Sequence, residues 1–111
     1  MSNLKTPELL PGTLDMLILK TLTRAPNHGY GIAQYIQRVS EDALRIGEGS
    51  LYPALQRLLV NGWVRAEWGT SDTGRKIRIY TITPSGRKQL AAEARDYGFT
   101  IAGIARVMEA T

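Results

Sequence analysis

The chain has 111 residues, 43% of them hydrophobic and 22% charged, a profile that fits one globular domain. It contains no cysteine, which excludes a disulfide framework, a thiolate nucleophile and a zinc-finger ligand set. The net charge of +4 is unevenly placed: residues 1–56 hold five basic and five acidic side chains, whereas residues 57–88 hold seven basic ones against Glu67 and Asp72.

Residues 1–12, with Pro7, Pro11 and Gly12, are expected to form an N-terminal tail. Thr13 is the expected N-cap of a first helix, in which Leu14, Leu17, Ile18 and Leu22 recur at helical spacing before Pro26 ends it. Its apolar run Met16-Leu17-Ile18-Leu19 is bounded by Asp15 and Lys20. A signal peptide needs roughly 7–15 apolar residues and a membrane span about 20, so a cytoplasmic protein without a membrane partner is expected. A second helix fits Tyr30 to Val39, with Ile32, Ala33, Ile36 and Val39 on one face.

Gly47-Glu48-Gly49-Ser50 reads as a turn ending in an N-cap, so the third helix is expected from Leu51 to Asn61. Pro53 then falls in the first turn, where its missing N–H costs no hydrogen bond. Leu51, Leu55, Leu58 and Leu59 form the buried stripe, and Asn61-Gly62 supplies the stop.

The hydrophobic period then changes to two. Between Trp63 and Trp68, Val64, Ala66 and Trp68 are expected on one side, with Arg65 and Glu67 on the other. The loop Gly69 to Gly74 leads into a second alternating strand, Lys76 to Thr83, which makes a hairpin. Thr83-Pro84 opens a last helix that runs to the C-terminus. The order helix, helix, helix, hairpin, helix predicts an α+β, mainly α fold. It is a winged helix-turn-helix over residues 13–84, followed by an added C-terminal dimerisation helix over residues 85–111.

Two surfaces carry the functional expectation. The outward face of the third helix bears Ser50, Tyr52, Gln56 and Arg57, and no carboxylate occurs between Leu51 and Asn61. Hydroxyl, amide and guanidinium groups donate to phosphates and base edges, and the start of such a helix meets the major groove. The hairpin adds Arg75, Lys76 and Arg78, placed for the DNA backbone or minor groove. On the last helix, Leu90, Ala94, Tyr97, Ile101, Ile104 and Met108 are spaced 4, 3, 4, 3, 4, an a/d seam expected to hold a homodimer. The stripe could instead pack on its own domain, but it spans about five turns.

No catalytic, cofactor-binding or metal-ligating set is expected, and the chain does not read as an enzyme. His28 is the only histidine and reads as ordering a helix start. The pairs Gly29-Tyr30-Gly31 and Gly47-Glu48-Gly49 lack the third glycine of a phosphate loop, and no nucleophile elbow is present.

Three stretches resemble the PadR family of transcriptional regulators over about residues 10–90: His28-Gly29-Tyr30-Gly31-Ile32-Ala33, Gly49-Ser50-Leu51-Tyr52-Pro53-Ala54-Leu55, and Tyr80-Thr81-Ile82-Thr83-Pro84-Ser85-Gly86-Arg87. The resemblance implies a homodimeric repressor on a palindromic operator in double-stranded DNA, of the branch with a single C-terminal helix. Several members respond to small aromatic or drug-like molecules near the dimer interface, so a small hydrophobic or aromatic effector is implied as a partner. In some, a tryptophan on the last helix lines that pocket, whereas this helix carries Tyr97 and Phe99. The alternative expectation is a winged-helix adaptor whose basic surface binds an acidic protein. Salt-sensitive retention on non-specific duplex DNA separates the two.

Overall fold

The computed structural model describes residues 12–111; all but Gly12 of the expected tail lies outside the described residues. Helix α1 spans Thr13–Leu22 and is capped by Gly12, whose φ of 84° places it in the left-handed region. Strand β1, Asn27–His28, leads directly into helix α2, Gly29–Val39. Helix α3 spans Glu48–Val60, strands β2 and β3 span Val64–Thr70 and Lys76–Ile82, and helix α4 spans Pro84–Glu109. The fold is a winged helix, with the three N-terminal helices packed against the base of the hairpin.

The core gathers one apolar stripe from each element. Ile18 and Leu19 of α1, Ile32 of α2 and Leu51, Leu55 and Leu58 of α3 are fully buried, and Val64, Tyr80 and Ile82 close the core from the sheet. Leu59 is half-buried and packs against this core from the expected stripe, whereas Val39 is 60% exposed and lies outside the stripe expected of it. Val39 is the last residue of α2.

The sheet has three strands in the order β1-β3-β2, all antiparallel. Two residues of β1, Asn27 opposite Tyr80 and His28 opposite Ile79, add a third strand to the expected hairpin. The backbone N–H of His28 donates to Asn27 Oδ1 at 2.8 Å, and its Nδ1 lies 3.1 Å from the same oxygen. His28 is the N-cap residue of α2, and its side chain makes no cap bond to the helix.

Helix α3 begins three residues earlier than expected. Its N-cap is Gly47, whose carbonyl accepts from the N–H groups of Ser50 and Leu51 at 3.1 and 2.9 Å. Ser50 is therefore the third helical residue and makes no cap bond. Pro53 lies inside the helix, so the carbonyl of Gly49 loses its i+4 donor. Gly49 is exposed, so that carbonyl is open to solvent. The helix ends as expected: Trp63 N–H donates to Leu58 O and Gly62 N–H to Leu59 O, with Gly62 at φ 75°, a Schellman closure.

Helix α4 is locked to that closure. Thr83 caps α4 by accepting from Gly86 N–H at 3.0 Å, and its hydroxyl donates to Gly62 O at 2.7 Å. A Cβ on Gly86 would collide with the carbonyl oxygen of Trp63, so only glycine fits this close approach.

Candidate nucleic-acid interface

The starts of α2 and α3 and the hairpin bound one groove of about 690 Å³. Tyr30 enters it from α2, Glu48 and Tyr52 from α3, and Arg75, Lys76 and Arg78 from the hairpin. The hairpin enters the groove because its antiparallel register outlasts the core. Val64 opposite Ile82 and Ala66 opposite Tyr80 lie at the base, whereas Trp68 opposite Arg78 and Thr70 opposite Lys76 stand on the same face past the end of the core. Trp68 shares its side of the strand with Val64 and Ala66, as expected, yet it is 63% exposed where Val64 is buried. Alternation fixes the face of a strand residue; the length of the core decides whether anything covers it.

The sequence-predicted residues divide into three groups. Tyr52, Arg75, Lys76 and Arg78 line the groove together. Ser50 and Gln56 are exposed on α3 outside its lining. Arg57 stands apart. Five residues after Tyr52 on the helix, it lies about 140° away around the axis, and its Nη2 donates to Asp15 Oδ1 of α1 at 2.8 Å. The Arg57 side chain is 55% exposed and that of Asp15 only 12%. Arg57 is thus on the exposed face as expected, and its guanidinium also ties α3 to α1, a pairing that its place on the helix does not announce.

Tyr30, Glu48, Trp68 and Tyr80 also border the groove, and no sequence pattern marks them for it. Tyr30, 64% exposed, accepts from Gln34 Nε2 at 3.1 Å. Tyr52 is 46% exposed because its ring lies over Gly29, where a Cβ would come within 3.0 Å of the hydroxyl. Burial pushes the Tyr80 phenol above the ordinary tyrosine range; Arg78 opposes the shift and Tyr52 adds to it. At neutral pH Tyr80 is therefore a neutral group in the groove wall. Chemically, the groove offers hydroxyls, a guanidinium pair and an ammonium at a helix start, a donor-rich surface suited to phosphates. Glu48 is the carboxylate that opposes them.

A sequence profile described as the transcriptional regulator PadR-like family matches residues 18–92, a span that holds the second half of α1, all of α2 and α3, the sheet and the start of α4. The chain belongs to this PadR-like family. It is similar to a transcriptional regulator of Mycobacterium tuberculosis, 38% identical over 71 residues, a match that covers 64% of each chain. Among solved structures, a transcriptional regulator from Clostridium thermocellum superposes with a TM-score of 0.79 at 29% identity, covering 86% of this chain and 92% of that one. A PadR family regulator from Eggerthella lenta superposes with a TM-score of 0.75 at 26% identity, covering 90% and 85%. This PadR-like chain is a DNA-binding transcriptional regulator. No helix among the described residues is long and apolar enough to cross a membrane.

The second expected surface lies on α4. Leu90 packs half-buried against the core, so the first position of the seam belongs to the chain's own interior. Ala94, with Met16, Leu17 and Leu90, lines an apolar groove of about 410 Å³ between α1 and α4. Beyond it, Tyr97, Ile101, Ile104 and Met108 are 42%, 40%, 47% and 78% exposed.

Proposed function

We propose that this PadR-like regulator is a homodimeric repressor that reads a palindromic operator and takes a small hydrophobic or aromatic molecule as effector. The far half of α4 carries the reading. Four apolar side chains at heptad spacing stand exposed on a helix that continues to Glu109. Gly98 and Gly103 each weaken such a helix by about 1 kcal/mol relative to alanine, so a second copy of the stripe supplies the burial that keeps it formed. The reading head is then residues 13–84 and the association helix residues 85–111.

Two copies joined through this seam present α3 to successive major grooves about 34–36 Å apart. Ser50, Tyr52 and Gln56 face the base edges and nearby phosphates, and Arg75, Lys76 and Arg78 meet the flanking backbone. Arg57 serves the DNA only secondarily, because Asp15 holds it. The apolar groove between α1 and α4 adjoins the seam at Leu90 and Ala94 and suits the effector. Repression by occlusion requires only these two surfaces.

The test is Ile101→Asp, which places an unpaired carboxylate in the seam. Sedimentation should show a monomer, with loss of affinity for DNA fragments selected by the parent protein. A variant that sediments as a dimer and binds those fragments normally would place the seam elsewhere.

A further inference from the structure

Trp68 is 63% exposed on the hairpin, and no core element covers it. Its direct cross-strand partner is Arg78, and Lys76 stands opposite Thr70, two positions further towards the tip on the same face. Arg78 Cζ lies 5.7 Å and Lys76 Nζ 5.3 Å from the indole ring centroid. Both fall within about 6 Å, where the negative face of an indole attracts a cation. All three side chains border the groove that Tyr52 enters from α3. Elsewhere on the surface, Arg24 and Arg38 hold Tyr35 in the same way at 4.4 and 5.5 Å. That cluster shares its cleft with Glu41 and Asp42, two carboxylates against its two cations, whereas the groove beside Trp68 sets Arg75, Lys76 and Arg78 against Glu48 alone.

We propose that Trp68 is a positioning residue for DNA binding, its indole holding Lys76 and Arg78 over the groove so that both cations are set for phosphates before DNA arrives. The inference rests on the wing-to-backbone contact proposed above. Its physical basis is entropy: a solvated lysine or arginine must give up much rotamer freedom on meeting a phosphate, and a side chain already held on a ring gives up less. Both charges remain available, because a cation over one ring face keeps its outer N–H groups free.

The experiment measures binding of a labelled DNA duplex of arbitrary sequence by fluorescence anisotropy at several salt concentrations. The proteins are the parent, Lys76→Ala/Arg78→Ala, Trp68→Leu and Trp68→Phe. The double variant should bind more weakly, with a salt slope reduced by about 0.9 for each phosphate it no longer neutralises. Trp68→Leu, which keeps both cations, should lose about three- to tenfold in affinity with the parent's salt slope. Trp68→Phe, which restores a π-face, should recover most of that loss, and no variant should melt more than about 10 °C below the parent, the shift that loss of exposed cation–π contacts allows.

If Trp68→Leu binds like the parent while the double variant does not, the wing contact stands and the positioning role falls. If the double variant also binds like the parent, the wing contact falls and the inference with it. A Trp68→Leu chain that melts well below the parent, or a Trp68→Phe chain no better than leucine, assigns the indole to the fold and overturns the proposal.

Discussion

Arg57→Ala removes the partner of a carboxylate that has little access to water. Asp15 keeps 12% of its side chain exposed, and Arg57 donates to it at 2.8 Å across the α1–α3 contact. Stripping one partner from a fully buried ion pair costs about 3–5 kcal/mol, because the remaining charge is left uncompensated. Here 55% of the Arg57 side chain is exposed, and solvent screens much of the attraction. The expected loss is therefore about 1–2.5 kcal/mol. For a domain of this size, 1 kcal/mol moves the melting midpoint by about 4–8 °C, so thermal unfolding followed by circular dichroism should shift by about 4–20 °C. Asp15→Ala/Arg57→Ala should lose less than the sum of the two single changes, since the partners touch. DNA affinity should fall by less than the roughly 1–3 kcal/mol of a bidentate base contact. An Arg57→Ala protein that melts with the parent yet loses selected DNA more than tenfold would refute the reasoning. It would mean that the guanidinium leaves Asp15 to read a base.

Gly86→Ala should cost about 2–3 kcal/mol, read as a lowered melting midpoint, because its Cβ meets the rigid backbone oxygen of Trp63. An unchanged midpoint would show that α4 can shift at no cost. Arg75→Ala/Lys76→Ala should weaken selected and random DNA alike and lower the salt slope by about 0.9 for each phosphate left without its cation; an unchanged slope would take the wing off the DNA. The raised Tyr80 pKa, caused first by burial, makes the folded state hold its proton longer than the unfolded chain does. Tyr80 thus stabilises fully below the ordinary tyrosine range and loses that contribution as pH rises from that range through the raised value. Tyr80→Phe should flatten the alkaline fall in stability measured by urea denaturation, and a fall of equal steepness in both proteins would contradict the shift.

The helical stripes are legible because period 3.6 is a property of the chain alone, and so are the two termini written in local chemistry. Asn61-Gly62 closes α3 by its left-handed glycine, and Thr83-Pro84 opens α4 by cap and ring. The start of α3 is hidden because its cap is a glycine that gives no side-chain signal, whereas Ser50 three residues later supplies a competing one. Strand β1 escapes because two residues have no period; it exists only through its bonds to Tyr80 and Ile79. Arg57 looks free because its partner lies 42 residues away, a separation no local pattern reports. Trp68 has the expected face and another environment, since alternation carries no information on where the core ends. Of the expected groove residues, those at the helix start and the wing come together, while the groove's aromatic wall emerges only from the register of β2 and β3.

The lock at the base of α4 has a mechanical consequence. Thr83 and Gly86 clamp the helix to the backbone of Gly62 and Trp63, the closure that also ends α3 and starts β2. A helix of 26 residues is about 39 Å long, so it works as a lever whose short arm is seated in the DNA-reading half. Swinging the far end by about 0.7 Å requires only about 1° of rotation at the clamp, at a rise of about 1.5 Å per residue. Whatever grips Ile104 and Met108 at the tip thus acts with large mechanical advantage on the joint between α3 and the wing.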